Sequence, residues 1–97
     1  MIMIRTEQIE GKSIISFEGR MDTTACAGIE KEVGEEVAKA GGAVVFDLKS
    51  VDFVSSAFLR ICISAAKKKG AGNLQVTNAA PSINKVFKIA GMDQFLA

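Results

Sequence analysis

Three stretches of the chain place apolar residues at the spacing of an amphipathic α-helix. They cover residues 24–40, residues 57–69 and a segment that opens at Pro81 and ends at Gly91. In each stretch an apolar side chain recurs every three or four positions, which puts these side chains on one helix face. The three stripes are Ile29, Val33, Val37 and Ala40; Phe58, Ile61, Cys62 and Ala65; and Ile83, Val86, Phe87 and Ala90.

The first eighteen residues have the pattern of a β-hairpin. Apolar and polar residues partly alternate in 2–8 and in 12–18, which predicts two strands. Glu10-Gly11 between them is typical of a tight turn, and Gly19 is expected to end the second strand. The first predicted helix follows, with Thr23 or Thr24 as its N-cap.

Later strands alternate with the predicted helices. Residues 43–48 read AVVFDL, and such a short, nearly all-apolar run favours a strand that is covered on both faces. Residues 73–77 predict another strand, and Phe95-Leu96 predicts a short last one at the edge. The order predicts one α/β domain over residues 1–97, with a mixed sheet of four to five strands, an N-terminal hairpin and three to four helices.

Length and charge narrow the class of protein. Ninety-seven residues suit one small domain, and 12 basic residues against 11 acidic ones argue against a dedicated nucleic-acid binder. No apolar run approaches the ~18 residues that span a membrane, and the N-terminus lacks the apolar core of a signal peptide. We therefore expect a soluble, cytoplasmic protein that associates with neither membrane nor nucleic acid.

Few residues have the chemistry of catalysis or metal binding. The chain contains no His, and Cys26 and Cys62 stand too far apart for a metal-ligand motif, so both are predicted to be buried free thiols. The S-x-x-K pattern occurs at both Ser64 and Ser82, without the supporting motifs of a serine hydrolase. We predict a non-enzymatic domain that has no catalytic residue, no metal and no cofactor.

Ser55 and Ser56 stand where a strand-like run gives way to the second predicted helix. One interpretation is helix capping, because a serine hydroxyl satisfies free N–H groups at a helix start. The other is phosphorylation, because the same helix end tolerates a phosphate group. Asp22 also has two interpretations, a favourable charge beside a helix N-terminus and an exposed acid in a partner-binding loop.

Nearly the whole chain resembles the STAS domain, the fold of bacterial anti-sigma factor antagonists. The resemblance includes GRMDT at 19–23, which is similar to the family's glycine-x-leucine-aspartate loop, and VVFDL at 44–48. It continues through VDFVSSAFL at 51–59 and NAAPSINKVFKIAGM at 78–92. The order and spacing of these segments make the match specific.

The family motif is aspartate, serine, serine or threonine, glycine, leucine, with the first serine phosphorylated. Laid onto this chain, the resemblance makes Ser56 the acceptor and puts Ser55 in the aspartate position, as a neighbouring or alternative acceptor. Ala57 takes the place of the second serine or threonine, Phe58 takes the place of the glycine, and Leu59 matches.

By resemblance, the unphosphorylated domain binds an anti-sigma factor, commonly a serine kinase with a histidine-kinase-like ATPase fold. That binding frees a sigma factor, phosphorylation by the kinase ends it, and a metal-dependent serine phosphatase resets the switch. ATP and magnesium belong to the kinase, and the domain itself is expected to be a monomer or weak dimer. The residues expected to contact the partner are Asp22, Thr23, Ser55, Ser56 and Phe58.

Two other functions remain open at this point. One is a STAS accessory subunit of a transporter or another complex, which binds a protein partner without being phosphorylated. The other is a hydrolase with a serine nucleophile. The sequence does not identify the partner or the sigma factor.

Overall fold

The structure, a computed structural model, describes residues 3–97, including every side chain except those of Met3 and Ala71. Its order is β-β-α-β-α-β-α, as the sequence predicts, within a single α/β domain. Two short 3-10 turns, Ala71–Asn73 and Asp93–Phe95, complete it. The elements are β1 Met3–Ile9, β2 Lys12–Met21, α1 Thr23–Lys39, β3 Val44–Val54, α2 Ser56–Lys69, β4 Leu74–Thr77 and α3 Pro81–Ile89.

The four strands form one mixed sheet in the order β1-β2-β3-β4. β1 and β2 are an antiparallel hairpin, and its turn has positive φ at Glu10 (50°) and Gly11 (79°), as a tight two-residue turn requires. β2 pairs with β3 in parallel, and β3 pairs with β4 in parallel. The predicted hairpin is confirmed, although Ile2 of its first strand lies outside the described residues.

β2 is longer than the sequence predicts. Gly19 does not end it: the strand continues to Met21, with irregular pairing to β3 between Ser16 and Glu18 and again between Gly19 and Arg20. Gly19 has a φ of 108°, which a residue without Cβ adopts at little cost. These irregularities let the strand bend and continue where a regular ladder would stop.

β3 is also longer than predicted, and its extension matters for the site. It runs on from the apolar segment to Val54, so that Met21 at the end of β2 lies opposite Val54 at the end of β3. The carboxyl ends of these two parallel strands therefore lie side by side. Each leads directly into a helix, β2 into α1 and β3 into α2.

All three helices pack on one face of the sheet. Alternate residues of β2 (Ile15 and Phe17) and of β3 (Val44, Phe46 and Leu48) belong to one core cluster with the buried side chains of all three helices, so they point to a common side. At the centre, the rings of Phe17 and Phe46 contact each other edge to face, with centroids 5.1 Å apart, and Phe58 contacts Phe17 in the same way at 5.1 Å. The helix stripes contribute Ile29, Val33, Val37, Ile61, Cys62, Ala65, Ile83 and Phe87.

The predicted last strand is reduced to a single bridge. Leu96 pairs with Val76 in parallel, and the Ala97 N–H donates to the Val76 carbonyl at 3.0 Å. Phe95 belongs to the preceding 3-10 turn and is buried. Within residues 3–97, none of the helices has the length and apolar character needed to cross a bilayer.

Candidate functional site

The starts of α1 and α2 are joined by a backbone hydrogen bond. The Ser55 N–H donates to the Met21 carbonyl at 2.9 Å. Met21 is the last residue of β2, and Ser55 is the residue between β3 and α2. This bond extends the β2–β3 pairing past Val54. It brings the loop that contains Asp22 next to the serine pair.

Asp22 is the N-cap of α1, and the prediction of Thr23 or Thr24 is wrong. Its backbone is extended, and its carboxylate accepts a hydrogen bond from the Ala25 N–H at 2.9 Å. Aspartate caps well because it satisfies a free N–H and adds negative charge at the positive end of the helix dipole. Thr23 is the first helical residue and is exposed.

Ser55 is the N-cap residue of α2 by position, but its side chain does not cap. Its hydroxyl makes no hydrogen bond to the helix start. The Oγ atom is buried and has no partner among the described residues. The capping interpretation is therefore wrong for this hydroxyl, which is also closed to any reagent from solvent.

Ser56 is the first residue of α2, and it is exposed. It follows Ser55 directly, yet the two side chains point in different directions because the helix begins between them. Ser56 therefore presents its hydroxyl to solvent beside the Asp22 loop. Of the two neighbouring serines, it alone has the access that a protein partner requires.

Phe58 requires a correction. It was expected to contact the partner, but its side chain has 0% exposure and lies among the core rings of Phe17 and Phe46. The reason is its place in the apolar stripe of α2, where it faces the sheet. Because the ring points inward, it leaves the surface around Ser56 open. The phenylalanine that replaces the glycine of the family motif therefore changes the core and not this surface.

Both cysteines are free and buried, as predicted. The Cys26 thiol donates to the Met21 carbonyl at 3.7 Å. Burial raises the pKa of Cys26, the nearby Ser55 hydroxyl opposes the rise, and the charges of Asp22 and Glu30 add to it. Burial raises the pKa of Cys62 strongly. Burial and a raised pKa make both thiols poorer nucleophiles than an exposed cysteine.

A small cleft of about 90 Å³ separates the first turns of α1 and α2. Thr23 and Cys26 line its α1 side, and Ala57 and Arg60 line its α2 side. Arg60 was missed in the sequence. Its spacing in the sequence could have identified it, because a residue four positions after Ser56 lies on the same face of the helix.

Arg20 and Phe53 form a second feature that was missed. The Arg20 guanidinium lies 3.9 Å from the centroid of the Phe53 ring, across the β2–β3 pair. The irregular register between β2 and β3 places Arg20 opposite Phe53, and the sequence alone carries no signal for that register. Cation–π pairs of this kind hold an arginine in place while its charge stays accessible. This pair lies one position before Met21 and Val54, near the ends of the strands.

Comparison with known proteins places these features in a family. A model of the STAS domain matches residues 3–97. A putative anti-sigma factor antagonist, BtrV of Bordetella bronchiseptica, is 31% identical over 87 residues, which cover 88% of this chain and 75% of that protein.

Solved structures of anti-sigma factor antagonists have the same fold. One from Mycobacterium paratuberculosis superposes with a TM-score of 0.87 at 27% identity, over 99% of this chain and 83% of that one. Unphosphorylated SpoIIAA superposes with a TM-score of 0.79 at 16% identity, over 98% and 86%. The protein therefore belongs to the STAS domain family, among homologues of the anti-sigma factor antagonists.

Proposed function

We propose that this domain is an anti-sigma factor antagonist whose binding is switched by phosphorylation of Ser56. The observation that carries the proposal is the exposed Ser56 at the start of α2, next to the Asp22 loop. The family is generally regulatory rather than enzymatic, and homologues of this chain are named as anti-sigma factor antagonists. The partner is a protein, an anti-sigma factor with serine kinase activity, and a serine phosphatase reverses the modification.

Ser56 is the acceptor in this proposal, and Ser55 is not. The Ser55 hydroxyl is buried, so a kinase would have to unfold the helix start to reach it. The Ser56 hydroxyl is reached without any change in the fold. In the transfer, Ser56 Oγ attacks the γ-phosphorus of ATP, the bond to the ADP oxygen breaks, and a base of the kinase takes the hydroxyl proton.

The added phosphate acts on the surface, with the core left intact. It carries ~−1.5 to −2 charges at neutral pH and lies at the positive end of the α2 dipole, which tolerates it. A partner that contacts Asp22, Thr23 and Ser56 in the unmodified state would meet a bulky anion at the same place. Binding then ends by steric exclusion and charge repulsion, and the domain does not have to refold.

A phosphorylation assay tests this proposal. The purified protein is incubated with ATP, magnesium and a kinase encoded beside it or in the same cell, and the modified peptide is mapped by mass spectrometry. We expect one phosphoryl group on Ser56 and none on Ser56→Ala.

Ser55→Ala is the matched control. It should be modified as fully as the wild type, and its melting temperature should match or slightly exceed that of the wild type, because the buried Ser55 hydroxyl makes no hydrogen bond. Phosphate on Ser55 would contradict the assignment. No modification by any co-occurring kinase would favour the alternative function, an accessory subunit that binds its partner without phosphorylation.

A further inference from the structure

Arg60 lies one helical turn after Ser56 on the same exposed face of α2. Side chains four positions apart on a helix are neighbours, with Cβ atoms about 5–6 Å apart. The long arginine side chain easily spans that separation. Any group that is added to the Ser56 hydroxyl is therefore within reach of the guanidinium.

The Arg60 guanidinium is not engaged by a carboxylate. In the part of the chain that the structure describes, the one ion pair joins Lys39 to Glu36, at the far end of α1. Arg60 inclines toward α1, since it lines the cleft between the helices. Its charge also slightly opposes the rise in the pKa of Cys26 that burial causes. The other charged residue that lines this cleft is Glu30.

A phosphate on Ser56 would be stabilised further by a nearby cation. The Asp22 carboxylate lies at the start of α1, and the Ser55–Met21 hydrogen bond holds this loop next to the start of α2. The carboxylate would therefore repel the phosphate. Arginine suits the task because its planar N–H groups match two phosphate oxygens at once. Arg60 is the basic residue one turn from the acceptor, whereas Lys67 lies about three turns away.

We propose that Arg60 binds the phosphate of phosphorylated Ser56 within the same helix. Modification then has two effects on the docking surface: it adds an anion at Ser56, and it withdraws the guanidinium that the unmodified domain presents there. The inference rests on the proposed function only for the identity of the modified residue.

The test installs phosphoserine at position 56 during translation, by reassigning a codon, so that no kinase is needed. The second pKa of the phosphate, ordinarily ~6, is then followed by ³¹P NMR as the pH is varied. A neighbouring cation favours the dianion and lowers this pKa. We expect Arg60→Gln to raise it by about 0.3 unit or more relative to the otherwise wild-type phosphoprotein.

Two controls separate a direct contact from general charge. Lys67→Gln removes the same charge from the same helix face at a greater distance and should change the phosphate pKa by less than about a third as much. Arg60→Lys keeps the charge without the planar fork and should give an intermediate value. Circular dichroism checks that every variant is folded, as expected for substitutions at exposed positions.

Equal titration curves for the Arg60→Gln and Lys67→Gln phosphoproteins would overturn the inference. So would an Arg60→Gln curve identical to that of the phosphoprotein without further substitution. Neither result bears on whether a kinase modifies Ser56, which the phosphorylation assay decides. Conversely, a failed phosphorylation assay would leave the NMR comparison interpretable.

Discussion

Ser55, Ser56 and Phe58 are close in the sequence, but they have three different environments. One hydroxyl is buried without a partner, the next is exposed, and the ring is enclosed in the core. Helical periodicity correctly places Phe58 in the buried stripe of α2. Periodicity cannot separate the two serines, because the helix begins between them and the exact boundary decides which hydroxyl is exposed.

Phe58→Ala should strongly destabilise the domain. The ring is fully buried and contacts Phe17 and Phe46, so its removal leaves a cavity in the centre of the core. We expect a loss of about 3–5 kcal/mol in the free energy of unfolding, measured by urea denaturation. Ile63→Ala on the same helix is the control: Ile63 is 41% exposed and should lose much less.

A small effect of Phe58→Ala, similar to that of Ile63→Ala, would contradict the inward position of the ring. It would restore Phe58 as a candidate contact at the surface.

The sequence predicts which helices and strands form, and in what order, better than it predicts the residues at which they begin and end. Each helix and each of the four strands was expected near its observed position, because apolar spacing follows directly from which face is buried. The missed end of β2 has an identifiable cause. Gly19 reads as a strand terminator, yet in the structure it accommodates an irregular pairing that carries β2 on to Met21. Tertiary pairing with β3 outweighs the local preference of the glycine.

The start of α1 gives a test in which capping and partner contact are separated. Asp22→Ala removes the hydrogen bond to the Ala25 N–H and should cost about 1 kcal/mol of unfolding free energy, seen as a lower melting temperature. Asp22→Asn keeps an oxygen that accepts this bond and should remain near wild-type stability.

If Asp22 also contacts the partner through its charge, Asp22→Asn should weaken partner capture although the fold is intact. Normal capture by Asp22→Asn would restrict this residue to its capping role.

For the whole molecule, alternation of strands and helices after a hairpin was enough to predict a mixed α/β sheet. The sequence could not predict that the helices all cover one face, or that Arg20 lies over Phe53, because both follow from the register between distant strands. The site surface is likewise a product of tertiary structure. It combines side chains from α1 and α2 that are more than thirty positions apart in the chain.

Ser56→Asp should leave the whole molecule unchanged while weakening its binding. The new carboxylate lies at the favourable end of α2, so the melting temperature should match or slightly exceed that of the wild type. The Cα radius of gyration of 11.9 Å should also be preserved, which small-angle X-ray scattering checks by comparing the two proteins.

In a pull-down from the source cell, Ser56→Asp should retain its partner about tenfold less well than the wild type. Loss of the thermal transition would mean that position 56 is buried and that phosphorylation cannot act at the surface alone.

The bond between the Ser55 amide and the Met21 carbonyl gives the loops that hold Asp22 and Ser55 a fixed spacing that does not depend on any side chain. Every amino acid except proline supplies that N–H. The loops are therefore free to diversify in sequence while their relative geometry is maintained. Paralogous domains in one cell can acquire different partners in this way, by exchanging exposed residues on an unchanged frame.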